Sequence, residues 1–429
     1  MVSSVAMTAT DAHRTIDAVW RIESARLIAG LTRLVREVGL AEELAQDALV
    51  TALEEWPRSG IPDNPGAWLM ATAKNRAIDQ LRRNRMLARK HEALGHELEM
   101  EQHSSGGRLE ASAEDEIGDD LLRLIFIACH PVLSTEARTA LTLKLLAGLT
   151  TEEIARAFLV PEATIAQRIV RAKRALSDAH VPFEIPRREE LSGRLSSVLE
   201  VIYLVFNEGY SATAGEDWMR PTLCEEALRL GRILAELVPG ESEVHGLVAL
   251  MEIQASRIRS RAGPNGEPIL LMDQNRALWD RILIHRGLIA LGRGEALAGS
   301  RGPYLLQAAI AACHARAPTA TDTDWVFITA LYDELARLTP SPVVELNRAV
   351  AVAMAYGPAA GLELANRLHA SGALKSYHLL PSVRGDLLAK LGRYAEARAE
   401  FERAAALTQN VRESRLLRDR AAACRNGEI

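Results

Sequence analysis

The sequence predicts an all-α fold. Apolar residues recur at the spacing of amphipathic helices almost throughout the 429 residues, and strand-like alternation bounded by turn residues is hard to find. Hydrophobic residues make up 48% of the chain, so a sizeable core can be buried, and the length suits roughly two to four domains. The charged fraction of 25% is typical of a globular protein.

The pattern divides the chain into three helical segments. A first unit covers 14–90, and a polar stretch that contains glycine and serine follows as a linker over 91–118. A second helical unit covers 119–182. Prolines then mark a boundary, and a long helical extension fills 186–429.

Cysteine usage and hydropathy indicate the cellular compartment of the protein. The four cysteines are widely spread and form no CxxC pair, which argues against a zinc knuckle or a disulfide scaffold. No apolar run approaches the roughly 20 residues that span a bilayer, and the N-terminus lacks the features of a signal peptide. We therefore expect a cytoplasmic protein with no membrane partner.

Charge is distributed unevenly along a chain whose net charge is −5. Seven basic residues and one acid lie between Lys74 and Lys90, whereas six acids and no base lie between Glu110 and Asp120. Such asymmetry predicts separate surfaces with separate partners. Each run alone is also compatible with a solvated helix face, and the acidic run with a solvated tether.

The first basic run lies on a predicted helix, NPGAWLMATAKNRAIDQLRRNR. Asn64 is placed to cap this helix and Pro65 to occupy its first position. We expect Trp68, Leu69 and Ile78 to point inward. The polar residues predicted on another face are Asn75, Asp79, Arg82 and Arg83. An amide that pairs with an unstacked base, beside arginines that hold phosphates, suits single-stranded DNA.

The second basic run predicts a helix-turn-helix in LTTEEIARAFLVPEATIAQRIVRAKRAL. Thr150 and Glu153 form a capping box, and Pro161 suits the first turn of the second helix. The residues expected to pack inward are Ile165, Ile169 and Ala172, and those expected to face outward are Gln167, Arg168, Arg171 and Arg174. An arginine fork can bind guanine in the major groove, although a packed hairpin with a solvated basic face has the same pattern.

One stretch of the extension has the spacing of a helical repeat. LGRYAEARAEFERAAAL places small and aromatic residues at spacings that resemble the second helix of a tetratricopeptide (TPR) repeat. A generic helical bundle is the alternative. Trp218, Arg220, Arg276 and Trp279 either line a groove for a peptide or protein segment, or pack helices together with paired arginines. Both interpretations stay open at this stage.

No catalytic constellation is found. The sequence has no P-loop, GxGxxG or HExxH motif, and His130, His285, His314 and His378 are isolated. We expect no enzymatic activity, no catalytic residues, no metal site and no cofactor.

At the residues quoted above, the sequence resembles the bacterial sigma-70 family, specifically its small extracytoplasmic-function (ECF) members. LAEELAQDALVTALEEW (40–56) resembles the helix that binds the β′ clamp helices of RNA polymerase. NPGAWLMATAKNRAIDQLRRNR resembles the element that recognises the −10 promoter element, and LTTEEIARAFLVPEATIAQRIVRAKRAL resembles the reader of the −35 element. The resemblance implies core RNA polymerase (β′ clamp helices and β flap) and promoter DNA as partners.

Individual residues follow from the resemblance. It assigns polymerase binding to Glu42, Glu43, Gln46 and Asp47. It assigns −10 DNA binding to Lys74, Asn75, Asp79, Arg82 and Arg83. It assigns −35 DNA binding to Thr164, Gln167, Arg168, Arg171, Lys173 and Arg174. Two positions depart from the pattern, because Leu159 stands where a turn glycine is usual and the neighbouring Glu162 is acidic.

The resemblance implies a transcription initiation factor whose C-terminal extension regulates or supports activity. The alternative is a one-component helix-turn-helix regulator whose TPR-like part senses a ligand and which acts without polymerase. That alternative leaves the helices over 40–85 without a role.

Overall fold

The structure is a computed structural model that describes residues 9–92, 113–158 and 160–426. It confirms the all-α prediction, with eighteen α-helices in these ranges and one two-stranded pairing. The chain divides into two compact units, Met1–Val201 and Ile202–Ile429. In the described residues no helix is long and apolar enough to cross a membrane.

The first unit contains the segments that resemble sigma regions. Its helices are α1 (Ala9–Val35), α2 (Val38–Ser59), α3 (Pro65–Glu92), α4 (Ala113–Ala128), α5 (Thr135–Leu145), α6 (Thr151–Phe158), α7 (Glu162–Asp178) and α8 (Arg188–Tyr210), the last of which runs on into the second unit. Helix α1 packs against α2 and α3, and it also contacts α4 and α5. The helices before and after the predicted linker therefore share one compact unit.

The helix starts follow the capping signals in the sequence. The Asn64 side chain accepts a hydrogen bond from the Ala67 N–H at 3.0 Å, and α3 begins at Pro65. Before α6, the Thr150 N–H donates to Glu153 at 2.8 Å and the Glu153 N–H donates to Thr150 at 3.1 Å. This reciprocal pair confirms the predicted capping box.

Helix α3 packs through a narrower face than predicted. Leu69 is 1% exposed, and the small residues Ala73 and Ala77 continue the buried stripe along the helix. Ile78 is 41% exposed, so its prediction as an inward anchor was wrong. The buried stripe follows the four-residue spacing 69, 73 and 77, which rotates residue 78 away from the core.

The second unit is a succession of helices. They are α9 (Pro221–Leu237), α10 (Ser242–Ala255), α11 (Arg281–Leu297), α12 (Pro303–Arg316), α13 (Trp325–Leu338), α14 (Pro342–Tyr356), α15 (Pro358–Ser371), α16 (Leu379–Lys390), α17 (Tyr394–Leu407) and α18 (Val411–Asn426). From α9 to α18 each helix packs on the next one in the chain, as in arrays of helical hairpins.

The stretch with the predicted repeat spacing covers α17 and the turn before it, and α17 packs on α16. Phe401 is fully buried, and a Cβ added at Gly385 would lie 2.8 Å from its ring. Glycine at this position therefore allows the two helices to approach closely. Ala397 and Ala404, one turn on either side of Phe401, are also fully buried.

The two ends of the second unit are joined to each other. Strand β1 (Ala214–Gly215) pairs in parallel with β2 (Gln409–Asn410). Asn410 is fully buried, and its amide donates hydrogen bonds to the carbonyls of Ala212 at 3.2 Å and Asp217 at 3.0 Å. Residues almost 200 positions apart are thereby fixed side by side.

Candidate nucleic-acid interface

The predicted single-strand surface lies on the exposed side of α3. The five residues on this side are Lys74, Asn75, Asp79, Arg82 and Arg83, and all are exposed to solvent. The neighbouring Arg76 points elsewhere: it forms an ion pair with Asp47 at 3.2 Å and donates to Thr51 at 2.7 Å. One cation of this run therefore fastens α3 to α2, and the predicted five remain on one accessible surface.

The helix-turn-helix has the predicted inner and outer faces. Ile165, Ile169 and Ala172 are buried, while Gln167 and Arg171 are exposed. Three more predicted residues border this outer face: Thr164 and Arg168 are partly buried, and Arg174 is exposed and lies 3.5 Å from Asp178. The outer face of α7 can therefore reach a partner through amide and guanidinium groups.

The turn between α6 and α7 differs slightly from the prediction. Pro161 is the residue before α7 and acts as its N-cap, whereas the prediction placed it in the first turn. Glu162 is exposed at the first position of α7. Leu159, the position where a glycine is usual, lies outside the described residues.

The predicted polymerase surface on α2 divides into two environments. Glu43, Gln46 and Asp47 are exposed, whereas the adjacent Glu42 is only 3% exposed. The Gln46 side-chain amide donates to Glu42 at 2.7 Å. Three of the four predicted residues are thus accessible in this structure, and one is covered.

Glu42 is covered by cations from the helix-turn-helix half of the unit. Its carboxylate forms an ion pair with Lys173 of α7 and lies 3.8 Å from Lys144 of α5. Both lysine side chains are themselves less than a quarter exposed. We call Glu42, Lys144 and Lys173 the Glu42 cluster. Lys173, predicted to bind −35 DNA, faces protein here.

A second buried carboxylate connects the same two halves. Asp120 of α4 is 3% exposed; its carboxylate lies 3.2 Å from Arg33 of α1 and 2.7 Å from Arg123 of its own helix. We call Asp120, Arg33 and Arg123 the Asp120 cluster. The end of the acidic run is therefore packed inside the unit and is not part of a solvated tether.

Sequence reasoning did not identify Lys144 or Arg33. Arg33 is a single basic residue on a helix with other exposed arginines, and its local pattern does not distinguish it from a solvated charge, whereas Lys144 lies in an apolar run that indicates burial. A third pair across the junction, Arg21 with Glu153 at 2.9 Å, is exposed. A cavity of about 560 Å³ also lies at this junction, and its lining includes Arg33, Val38 and Lys173.

The described residues contain no group of histidine, cysteine or carboxylate side chains that could hold a metal ion. His130 accepts a hydrogen bond from the Val132 N–H at 3.1 Å through Nδ1, and burial lowers its pKa to about 4. It therefore acts as a local cap in its neutral form.

Comparison with known proteins identifies the family of the first unit. The chain is 44% identical over 393 residues to an uncharacterized protein of Rhizobium meliloti (strain 1021), a match that covers 91% of each chain. Residues 22–86 match the family model of sigma-70 region 2, and residues 123–176 match that of sigma-70 region 4. The chain belongs to the sigma-70 family. Residues 194–295 match a family of unknown function, DUF6596.

This sigma-70 protein is accordingly an ECF-like member with a C-terminal extension. No solved structure matches the chain at a significant level. Its two sigma regions indicate a non-enzymatic role in transcription initiation, with core RNA polymerase and promoter DNA as partners. Region 2 contains the exposed face of α3, and region 4 contains the helix-turn-helix.

Proposed function

We propose that this sigma-70 protein directs core RNA polymerase to promoters through three surfaces. Glu43, Gln46 and Asp47 of α2, together with Glu42 once it is uncovered, bind the β′ clamp helices, and region 4 contacts the β flap. The five predicted residues of α3 bind the −10 element. The outer face of α7 binds the −35 element.

The observation that supports this proposal most strongly is the separation of charge within the first unit. Exposed cations line one face of α3 and one face of α7, as arginines also do on α1, while exposed acids and an amide lie on α2. Cationic faces suit phosphates and base edges, whereas an acidic face is repelled by DNA and suits a protein surface.

Run-off transcription with purified core polymerase and the full chain tests the proposal. A library of promoter fragments should yield transcripts with defined start sites only when the protein is added. Absence of any specific start site with folded, full-length protein would overturn it. A pull-down of core polymerase separates it from the one-component regulator, which has no need of the α2 surface.

We further propose that the extension supports or regulates the sigma regions. A truncated chain has to include α8, because two residues of this helix bond to the first unit. Arg194 donates to the Phe126 carbonyl at 2.8 Å, and Ser197 donates to the Cys129 carbonyl at 2.8 Å. A chain that ends after Tyr210 keeps these contacts. Equal run-off activity of this truncated chain and the full chain would exclude a role for the extension.

A further inference from the structure

The two buried carboxylates of the first unit depend on cations from different sigma regions. Glu42 belongs to region 2, and both of its lysine partners belong to region 4. Asp120 lies just before the region 4 match, and one of its partners, Arg33, belongs to region 2. A buried charge is tolerated only when its partners stay in place, so each cluster favours the arrangement in which the two regions touch.

The Glu42 cluster uses residues that the proposed function requires elsewhere. Lys173 cannot bind a DNA phosphate while its ammonium is paired with Glu42. Glu42 in turn cannot contact polymerase while it is 3% exposed. The contact between the two side chains therefore excludes both proposed contacts at once.

The size of the unit leads to the same conclusion. The −10 and −35 elements are about 25 base pairs apart, which corresponds to about 85 Å of duplex. A compact unit of about 200 residues has a radius of gyration of about 16 Å, hence a diameter of roughly 40 Å. A unit this compact cannot place α3 on one element and α7 on the other.

We propose that the Glu42 cluster holds regions 2 and 4 in a closed, inactive arrangement, and that the cluster must break before promoter binding. The closure itself is a property of this chain, whereas its inhibitory effect rests on the proposed function. Lys144 is the informative residue, because it belongs to neither the predicted polymerase set nor the predicted DNA sets.

Energy transfer between two dyes measures the closure directly. The dyes are attached to cysteines introduced at Ser59 and Ala163, which are exposed, while the four native cysteines are buried. The full chain should give one high-transfer population. Lys144→Glu should convert most molecules to low transfer, because the new carboxylate faces Glu42. An unchanged transfer distribution in this variant overturns the proposal.

Further variants separate charge from misfolding. Lys144→Met removes one partner without adding repulsion and should open the unit partially, with circular dichroism confirming an intact helical fold. Glu42→Lys should open it, and the swap Glu42→Lys with Lys173→Glu should restore high transfer. Arg21→Gln, which breaks the exposed pair at the same junction, is the matched control and should leave transfer unchanged.

Polymerase affinity then tests the inhibitory effect. Release of a closed state raises apparent affinity by the inverse of the open fraction, so Lys144→Glu should bind core polymerase roughly tenfold more tightly than the natural chain. If neither chain binds polymerase, the proposed function fails while the dye result still decides the closure. If both bind equally although the dyes report opening, the closure is real and its inhibitory effect is excluded.

An independent observation concerns the second unit, where three arginines lie against aromatic rings. Arg261 lies 3.5 Å from the ring centre of Tyr210 and 4.4 Å from that of Trp218. Arg276 lies 4.8 Å from the ring centre of Trp279. Arg257 lies between them, 5.9 Å from the centre of Tyr210 and 5.8 Å from that of Trp279.

These arginines are buried without carboxylate partners within 4 Å in the described part of the chain. Arg276 donates to two backbone carbonyls and Thr323, and Arg261 donates to the Tyr210 carbonyl. Arg257 is 9% exposed, and its Nε has no hydrogen-bond partner. A cation in this position requires an acceptor to offset the loss of its hydration.

We infer that Arg257 binds the oxyanion group, a carboxylate or a phosphate, of a small ligand. The flanking rings of Tyr210 and Trp279 restrict where the ligand can lie. The site falls inside the segment that matches DUF6596, and nothing in that match assigns a ligand to it.

Thermal unfolding of the full chain tests the site with sodium phosphate and sodium acetate, each against sodium chloride at equal ionic strength. Without an oxyanion, Arg257→Met should melt at a higher temperature than the natural chain, because it removes a buried unpaired charge. An oxyanion that binds Arg257 should raise the melting temperature of the natural chain more than that of Arg257→Met.

Arg259→Met is the matched control, since Arg259 is exposed two residues away and should respond to oxyanions as the natural chain does. A larger response to phosphate than to acetate, or the reverse, distinguishes the two kinds of ligand. Equal responses of the natural chain and Arg257→Met to both anions would overturn the site, because only general salt effects would remain.

Discussion

Both units of this protein bury carboxylates beside cations, but among the described residues the second unit also buries arginines that have no carboxylate partner. In the first unit, Glu42 and Asp120 are buried carboxylates whose cationic partners come partly from another sigma region. In the second unit, Arg257, Arg261 and Arg276 are buried against aromatic rings and backbone carbonyls, and the unit's two ends are joined through Asn410.

These two kinds of contact differ in how readily a partner molecule can replace them. An ion pair between surfaces that also suit DNA or polymerase can be replaced by those partners at little net cost. An amide that satisfies buried backbone carbonyls has no such substitute, because the carbonyls would be left without hydrogen bonds. We therefore expect the first unit to rearrange during function and the second to remain intact.

The largest expected effect tests the rigidity of the second unit. Asn410→Ala removes two hydrogen bonds to backbone carbonyls, of which that of Ala212 is buried, and two from the N–H groups of Arg412 and Glu413. We expect a loss of about 3 kcal/mol in the free energy of unfolding, measured by urea denaturation. Asn265→Ala at a nearby exposed loop should change little. A loss below about 0.5 kcal/mol would show that the junction of the two ends is dispensable.

A smaller loss of free energy is expected for substitutions on the outer face of α7. If the Arg171 guanidinium contacts a base edge, Arg171→Ala should weaken promoter binding by about 1–3 kcal/mol and lower promoter-specific transcription accordingly. Arg168→Ala should behave similarly. A phosphate contact would instead reduce the salt dependence of binding. Arg156→Ala, an exposed arginine on α6, is the control. Equal activity of Arg171→Ala and Arg156→Ala would contradict the assignment.

A pH effect is expected from His314 in the second unit. Burial, with Arg257 and Arg276 nearby, lowers its pKa from 6.5 to about 3, and its ring packs edge-on against Trp325. The folded state therefore keeps this residue neutral while the unfolded state protonates, so stability is lost as pH falls below about 6.5. Between pH 7.5 and 5.5 we expect a loss of about 1 kcal/mol.

The measurement is urea denaturation at both pH values. His314→Gln should remove this part of the pH dependence, whereas His285→Gln, at an exposed position, should retain it. If all three proteins lose the same stability, other groups account for the pH dependence and His314 titrates normally.

The smallest effect concerns the accessible part of α2. Glu43→Lys should weaken core-polymerase binding roughly fivefold, because an exposed ion pair contributes up to about 1 kcal/mol. The fold should be unchanged, since Glu43 is exposed. Glu55→Lys, exposed near the end of the same helix, is the matched control. If Glu43→Lys and Glu55→Lys bind polymerase alike, the α2 surface lies elsewhere.

Local signals in the sequence were sufficient to predict where the helices of the candidate interface begin and which of their residues face inward. The Asn64 cap, the Thr150–Glu153 capping box and the inward spacing of Ile165 and Ile169 all appear as predicted. These features depend on side chains within one or two turns of each other, so periodicity and capping chemistry specify them. Ile78 was misplaced because a helix can rotate by one position without a change in its apolar spacing.

Which charges face solvent could not be predicted in the same way. Glu42 and Glu43 are identical neighbours in the sequence, yet one is buried between two lysines and the other is exposed. The partners of Glu42 lie 102 and 131 positions away, and no local pattern connects them.

The helical class, the helix starts, the helix-turn-helix and the position of the basic stretches could all be predicted from the sequence. These depend on backbone hydrogen bonding and apolar periodicity, which act over a few residues. The packing of the folded chain was needed to show that Lys144, Lys173 and Arg33 pair across the sigma regions, that Asn410 joins the ends of the second unit, and that Arg257 is buried without a carboxylate partner. Burial of a charge is set by every element packed around it, and those elements meet only after the chain has folded.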